Sequence, residues 1–134
     1  MKRRTEILLV DDDPDILDSL KIILENNSYE IRTATNGSEA KAALEEKIPN
    51  LIILDIMMAT DTEGFDLAYE LRENPDFKRL PIIILTSFLD KVLAEGPGPF
   101  EYILGEQWPA HWFFEKPVDT DKLLAKIESL LQGG

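Results

Sequence analysis

The 134 residues are 44% hydrophobic and carry a formal net charge of -12, enough chain for one buried core and too little for two. Such acidity repels phosphate backbones and anionic lipid headgroups, so direct contact with nucleic acid or membrane is not expected, whereas a partner with a basic surface is. Cysteine is absent, which excludes disulfides and thiolate metal sites and is compatible with a reducing cytoplasm.

Met1-Lys2-Arg3-Arg4 is basic, but the apolar run behind it, Ile7-Leu8-Leu9-Val10, is too short for a signal peptide or a membrane span. The run has no polar alternation, so Glu6 to Val10 reads as a strand covered on both faces. Acids follow, then Pro14 at a first helical turn, and Ile16, Leu17, Leu20, Ile23 and Leu24 recur at helical spacing up to Asn26-Asn27. Asp13 reads as a capping acid. A second strand spans Tyr29 to Ala34. Asn36-Gly37-Ser38 opens a second helix, with Ala40, Ala43 and Leu44 on one face, that ends before Pro49. Leu51-Ile52-Ile53-Leu54 then reads as a central strand and stops abruptly at Asp55.

Phe65 to Arg72 reads as a third helix, and Pro81 introduces a fourth buried strand, Ile82 to Leu85, ending in Thr86-Ser87. Gly96-Pro97-Gly98-Pro99 breaks any helix begun at Phe88 to Ala94, so the fourth helix is expected to be short or irregular. Trp112 to Phe114 is a fifth strand. It leads through Lys116-Pro117 into a last helix, Asp119 to Leu131, with Leu123, Leu124, Ile127, Leu130 and Leu131 on its apolar face. Strict strand and helix alternation predicts an open, doubly wound, mostly parallel α/β sheet with helices on both faces. Ligands of such sheets bind beyond the carboxyl ends of the strands, where the strand order reverses.

Those ends bring together Asp11, Asp12 and Asp13, Asp55, Thr86 and Lys116. Converging carboxylates repel one another, and an all-oxygen set that is relieved by a cation favours magnesium. Asp55 is then suited to attack a phosphoryl group, with Lys116 supplying a point charge and Thr86 a hydroxyl donor for the oxygens that the metal leaves free. Taken singly, each of these residues also reads as a cap, a turn or a surface side chain. Their joint order carries the functional reading. His111, the sole histidine, reads as a loop residue, since no second nitrogen or sulfur ligand lies near it in the sequence.

Four segments, Ile7 to Asp13, Leu51 to Met58, Ile82 to Ser87 and Phe113 to Pro117, resemble the signature stretches of the receiver domains of two-component response regulators, the CheY-like superfamily. The resemblance spans almost the whole chain as one domain, residues 1–134, with a core of about 5–132 and an insertion near 94–111. It implies a flavodoxin-like five-stranded parallel sheet in the order 2-1-3-4-5, with the fourth-helix region remodelled by that insertion. It further implies Asp55 as phosphoacceptor, Asp11 and Asp12 as the acidic pair holding Mg2+ with Asp55 and the backbone carbonyl of Met57, and Lys116 as the accompanying lysine. Thr86 and Phe113 match the hydroxyl and aromatic switch residues. The implied function is signalling rather than enzymatic, limited to magnesium-dependent self-phosphorylation and autodephosphorylation. The implied partners are a sensor histidine kinase or phosphotransfer protein and a downstream effector or output domain. The surface that switches is made by the fourth helix, fifth strand and last helix, which also serves receivers that form homodimers.

Ala59 stands where the family usually has proline, and the stretch between Thr86 and Lys116 carries Tyr102, Trp108 and Trp112, read either as a small aromatic core or as a partner patch. The rival readings are an Asp-x-Asp phosphatase and a receiver-like interaction module that acts without phosphorylation.

Overall fold

The computed structural model describes residues 5–55, 67, 70, 71, 73–77, 80–86, 112–116 and 118–132. Its strands are β1 (Thr5–Val10), β2 (Tyr29–Ala34), β3 (Leu51–Asp55), β4 (Ile82–Thr86) and β5 (Trp112–Glu115). Every pairing is parallel, in the order β2-β1-β3-β4-β5. Across the first four strands this is the flavodoxin-like order expected, and β5 lies along β4 with Ile84 opposite Phe113 and Thr86 opposite Glu115. The expected insertion near 94–111, the fourth-helix region and His111 lie outside the described residues.

Successive strand residues point to opposite faces, and the core divides accordingly. Leu8, Val10, Ile52, Leu54, Ile82 and Ile84 face one way, where they meet Ala40 and Leu44 of α2 (Gly37–Glu46) together with Leu67 and Leu71. Ile7, Leu9, Leu51, Ile53, Ile83 and Leu85 face the other way. There they meet Leu17, Leu20 and Leu24 of α1 (Pro14–Asn26) and Leu123 and Ile127 of the last helix, α3 (Thr120–Gln132). With both faces covered, no polar position alternates through the three central runs. Leu67, Glu70, Leu71 and Glu73 are helical, Glu73 lying one residue past the expected end of the third helix.

The first two helices begin where the sequence predicts, and the last begins one residue later, at Thr120. Asp13 caps α1, its side chain accepting from the Asp15 N–H with Pro14 in the first turn, and Asn36 caps α2 by accepting from the Glu39 N–H at 2.8 Å. Glu39 in turn accepts from the backbone N–H and the hydroxyl of Thr35, and these bonds hold its carboxyl below the usual range. At the other end of α1, Ser28 takes a left-handed φ of 73°. A Cβ costs about 1–2 kcal/mol there, and glycine loses about 0.5–1 kcal/mol of chain entropy in exchange. Ser28→Gly is therefore expected to stabilise the fold by about 0.5–1 kcal/mol, read by urea denaturation.

Opposite the carboxyl ends of the strands lies a buried charge cluster that the sequence did not announce. Glu6 is 5% exposed, and its carboxylate meets Arg32 at 2.7 Å and Lys47 at 3.3 Å. The Arg32 guanidinium also donates to the carbonyls of Ala43, at 2.7 Å, and Lys47. It thereby satisfies the end of α2, a helix with no basic residue in its last turn. Asn50 closes the same corner by accepting from the Glu6 N–H and donating its own N–H to the Glu6 carbonyl, each at 2.8 Å.

Candidate functional site

The chain reverses its order of strand addition at β1, whose neighbours β2 and β3 lie on opposite sides. The crevice beyond the carboxyl ends of β1 and β3 is therefore the place where the fold offers a site. Asp11 follows β1 directly, and its N–H donates to the Ala34 carbonyl at 3.1 Å, which extends the ladder to β2 by one residue. Asp55 is the last residue of β3. Both are buried, at 0% and 2% exposure, and Asp12 beside them is exposed.

Lys116, which follows β5, reaches over to join them. Its ammonium donates to Oδ2 of Asp11 at 2.8 Å and to Oδ2 of Asp55 at 3.2 Å. Burial alone would lower the Lys116 pKa, but the bond to Asp11 and the charges of Asp55 and Asp11 outweigh it and hold the group above its usual value. The other oxygen of Asp11, Oδ1, accepts from the Asp13 N–H at 2.9 Å. The capping acid thus also braces the buried one, a role that the sequence signals only as an Asp two residues before a backbone donor.

One carboxylate oxygen each of Asp11, Asp12 and Asp55 lie within 4.8 Å of one another, a group that could hold a metal ion. The oxygens around a hard divalent cation stand about 3–4 Å apart, and such an ion keeps several waters. Two buried donors with one exposed donor suit that habit, and among the described residues no nitrogen or sulfur ligand enters the group. The structure therefore brings together four of the residues singled out in the sequence: Asp11, Asp12, Asp55 and Lys116. Thr86 ends β4 at the same edge and Phe113 lies in β5, but their side chains, with Met57 and Pro117, lie outside the described residues.

The match to the response regulator receiver domain runs over residues 7–128, and the chain belongs to that family, a module of two-component signalling. It is 34% identical over 132 residues to the response regulator Rre1 of Synechocystis sp., covering 98% of this chain and 53% of the relative. The chain spans about half the length of several such curated relatives. Among solved structures, a CheY-like response regulator receiver domain protein from Methanospirillum hungatei superposes with a TM-score of 0.80 at 30% identity, over 98% of this chain and 96% of that one. The response regulator TrrA from Thermotoga maritima, in complex with Mg(2+)-BeF, gives 0.76 at 32%, over 94% and 98%. Among the described residues, no helix is long and apolar enough to cross a membrane.

Proposed function

We propose that the chain is a phosphoacceptor switch in which Asp55 takes a phosphoryl group from a histidine kinase or phosphotransfer protein. The observation that carries this reading is the Lys116 ammonium, bonded at once to Asp11 and Asp55 at the switch point of a receiver-family sheet. Asp11, Asp12, Asp55 and the Met57 backbone carbonyl would hold magnesium, which would supply the charge that lets a phosphoryl dianion approach this acidic crevice.

A carboxylate oxygen of Asp55 attacks the phosphorus of the donor's phosphohistidine. The new P–O bond forms as the P–N bond breaks, and the imidazole leaves with a proton taken from solvent. Lys116 stays within reach of the transferred oxygens as a point charge, and the hydroxyl of Thr86 donates to another. Movement of Thr86 and Phe113 then alters the surface around β5 and α3, which a downstream effector or output domain reads. The chain works in the cytoplasm as a signalling component, with no turnover beyond its own phosphorylation and dephosphorylation.

The test is the intact mass after incubation with acetyl phosphate and magnesium. Wild type is expected to gain one phosphoryl mass, and both Asp55→Asn and a chelator are expected to abolish the gain. A gain retained by Asp55→Asn would refute the acceptor assignment. A wild type that takes up neither phosphoryl nor beryllofluoride would refute the switch.

A further inference from the structure

Away from Asp55, α2 and the helical residues around Leu67 and Leu71 border a groove of about 660 Å3. Its floor is apolar: Leu44, Leu67 and Leu71 are buried, Phe77 is half-buried, and Ile48 is 49% exposed. Ile48 precedes β3 and Phe77 precedes β4, which sets the groove toward the end of the sheet opposite the carboxylate crevice. Its walls are fixed from both sides. Arg32 and Glu6 pin the turn carrying Lys47. On the other wall the backbone bonds from Asn74 to Glu70, Phe77 to Asn74 and Leu80 to Phe77 hold the segment before β4 at 3.0–3.1 Å. Lys41 and Glu70 join the two walls at 2.9 Å.

The exposed rim carries both signs with acids in excess: Lys41 is paired with Glu70 and Lys47 with Glu6. Glu45, Glu46 and Asp76 line the groove and enter no ion pair among the described residues. The chain as a whole carries a net charge of -12. We infer that this groove docks a partner protein through an amphipathic helix whose apolar ridge lies on Leu44, Ile48 and Phe77 and whose flanking lysines or arginines face Glu45, Glu46 and Asp76. A second copy of this chain would set the same acids against one another, so self-association is disfavoured here. The walls are held before binding, so little ordering entropy is lost on docking. Nothing in this site involves Asp55, so it operates independently of phosphorylation chemistry.

The experiment titrates the full 15N-labelled chain with a synthetic leucine–lysine peptide carrying leucine at i, i+3, i+4 and i+7. Shift changes are expected at residues 41–48 and 67–77. Ile48→Glu is expected to weaken binding at least about tenfold, since it removes one buried aliphatic side chain. Glu45→Lys with Glu46→Lys is expected to weaken it in low salt, and Ile22→Glu, at the other well exposed isoleucine among the described residues, to leave it unchanged. A peptide with glutamate for lysine is expected not to bind. Shifts centred on α1, equal binding by Ile48→Glu, or a self-associated chain that Ile48→Glu makes monomeric would each overturn the inference. Ile48→Glu is expected to keep the phosphoryl gain, so failure of the docking site and failure of the Asp55 reading are separately visible.

Discussion

Replacing Lys116 by methionine is expected to destabilise the fold by about 3 kcal/mol at pH 7, because two carboxylates then share a buried crevice without their cation. Both are nearly inaccessible, with side chains 0% and 3% exposed, whereas the Lys116 side chain is 14% exposed. The burden therefore falls on the acids that are left behind. Guanidinium denaturation measures the loss, and millimolar magnesium is expected to recover part of it by taking over the charge balance. The alkaline side carries a sign. The Lys116 pKa is raised on folding, so its contribution is fully present below the unfolded value of about 10.4. It fades as pH rises through the higher folded value. The stability gap between wild type and Lys116→Met should thus begin to close above about pH 10.5 and go on closing as pH rises through the folded value. A constant gap from pH 8 into that range would contradict the pairing.

Arg32→Ala is expected to cost a similar amount, about 3 kcal/mol, by stripping Glu6 of its main counter-charge and the carbonyls of Ala43 and Lys47 of a donor. Lys47 remains near Glu6 at 3.3 Å but is 64% exposed, so it compensates poorly. Lys47→Ala should cost under about 1 kcal/mol. The contrast between these two neighbours is the informative result, read as midpoint shifts in urea. Equal losses would show that the corner is held by packing rather than by the guanidinium. Replacing Glu6 and Arg32 together with methionine should recover much of the single-variant loss, leaving a remainder assignable to the lost guanidinium bonds to the carbonyls of Ala43, which keeps its bond from the Lys47 N–H, and Lys47.

These two basic residues differ in how visible they were beforehand. Lys116 could be placed from the order of the chain, since each apolar run ends at a polar residue and a parallel sheet gathers such ends along one edge. Asp55, Asp11 and Lys116 thus meet although 61 and 105 residues separate Lys116 from its partners. The strands were readable for the same reason, with Tyr29–Ala34 as expected and Thr5–Val10 and Trp112–Glu115 each one residue longer. Arg32 was not readable. A basic residue inside a strand has no periodic signature, and only the register that sets Glu6 beside Glu30 on β2 shows which acid the Arg32 side chain folds back to meet. The docking groove was hidden likewise: Leu44, Ile48 and Phe77 belong to separate local patterns, and their common surface arises only when α2 packs beside Leu67 and Leu71. Thr86 and Phe113 were matched to switch positions by resemblance alone, and their side chains lie outside the described residues.

Glu6 and Asp11 bracket the four apolar residues of β1, each nearly inaccessible and each answered by basic side chains from elsewhere in the chain, Glu6 by Arg32 and Lys47 and Asp11 by Lys116. A strand reading Ile7-Leu8-Leu9-Val10 contains no internal mark of alignment, since any of these side chains satisfies either face and a slip costs little in apolar contact. The bracketing acids supply that mark. Sliding β1 by one position against β3 would draw Glu6 into the row of Leu51 or Asp11 into the row of Leu54, and would carry the displaced carboxylate away from its counter-charge. The central strand is thus aligned by polar end stops rather than by its hydrophobic pattern, and the residue on which the crevice depends is also one of the two that set the whole sheet in register.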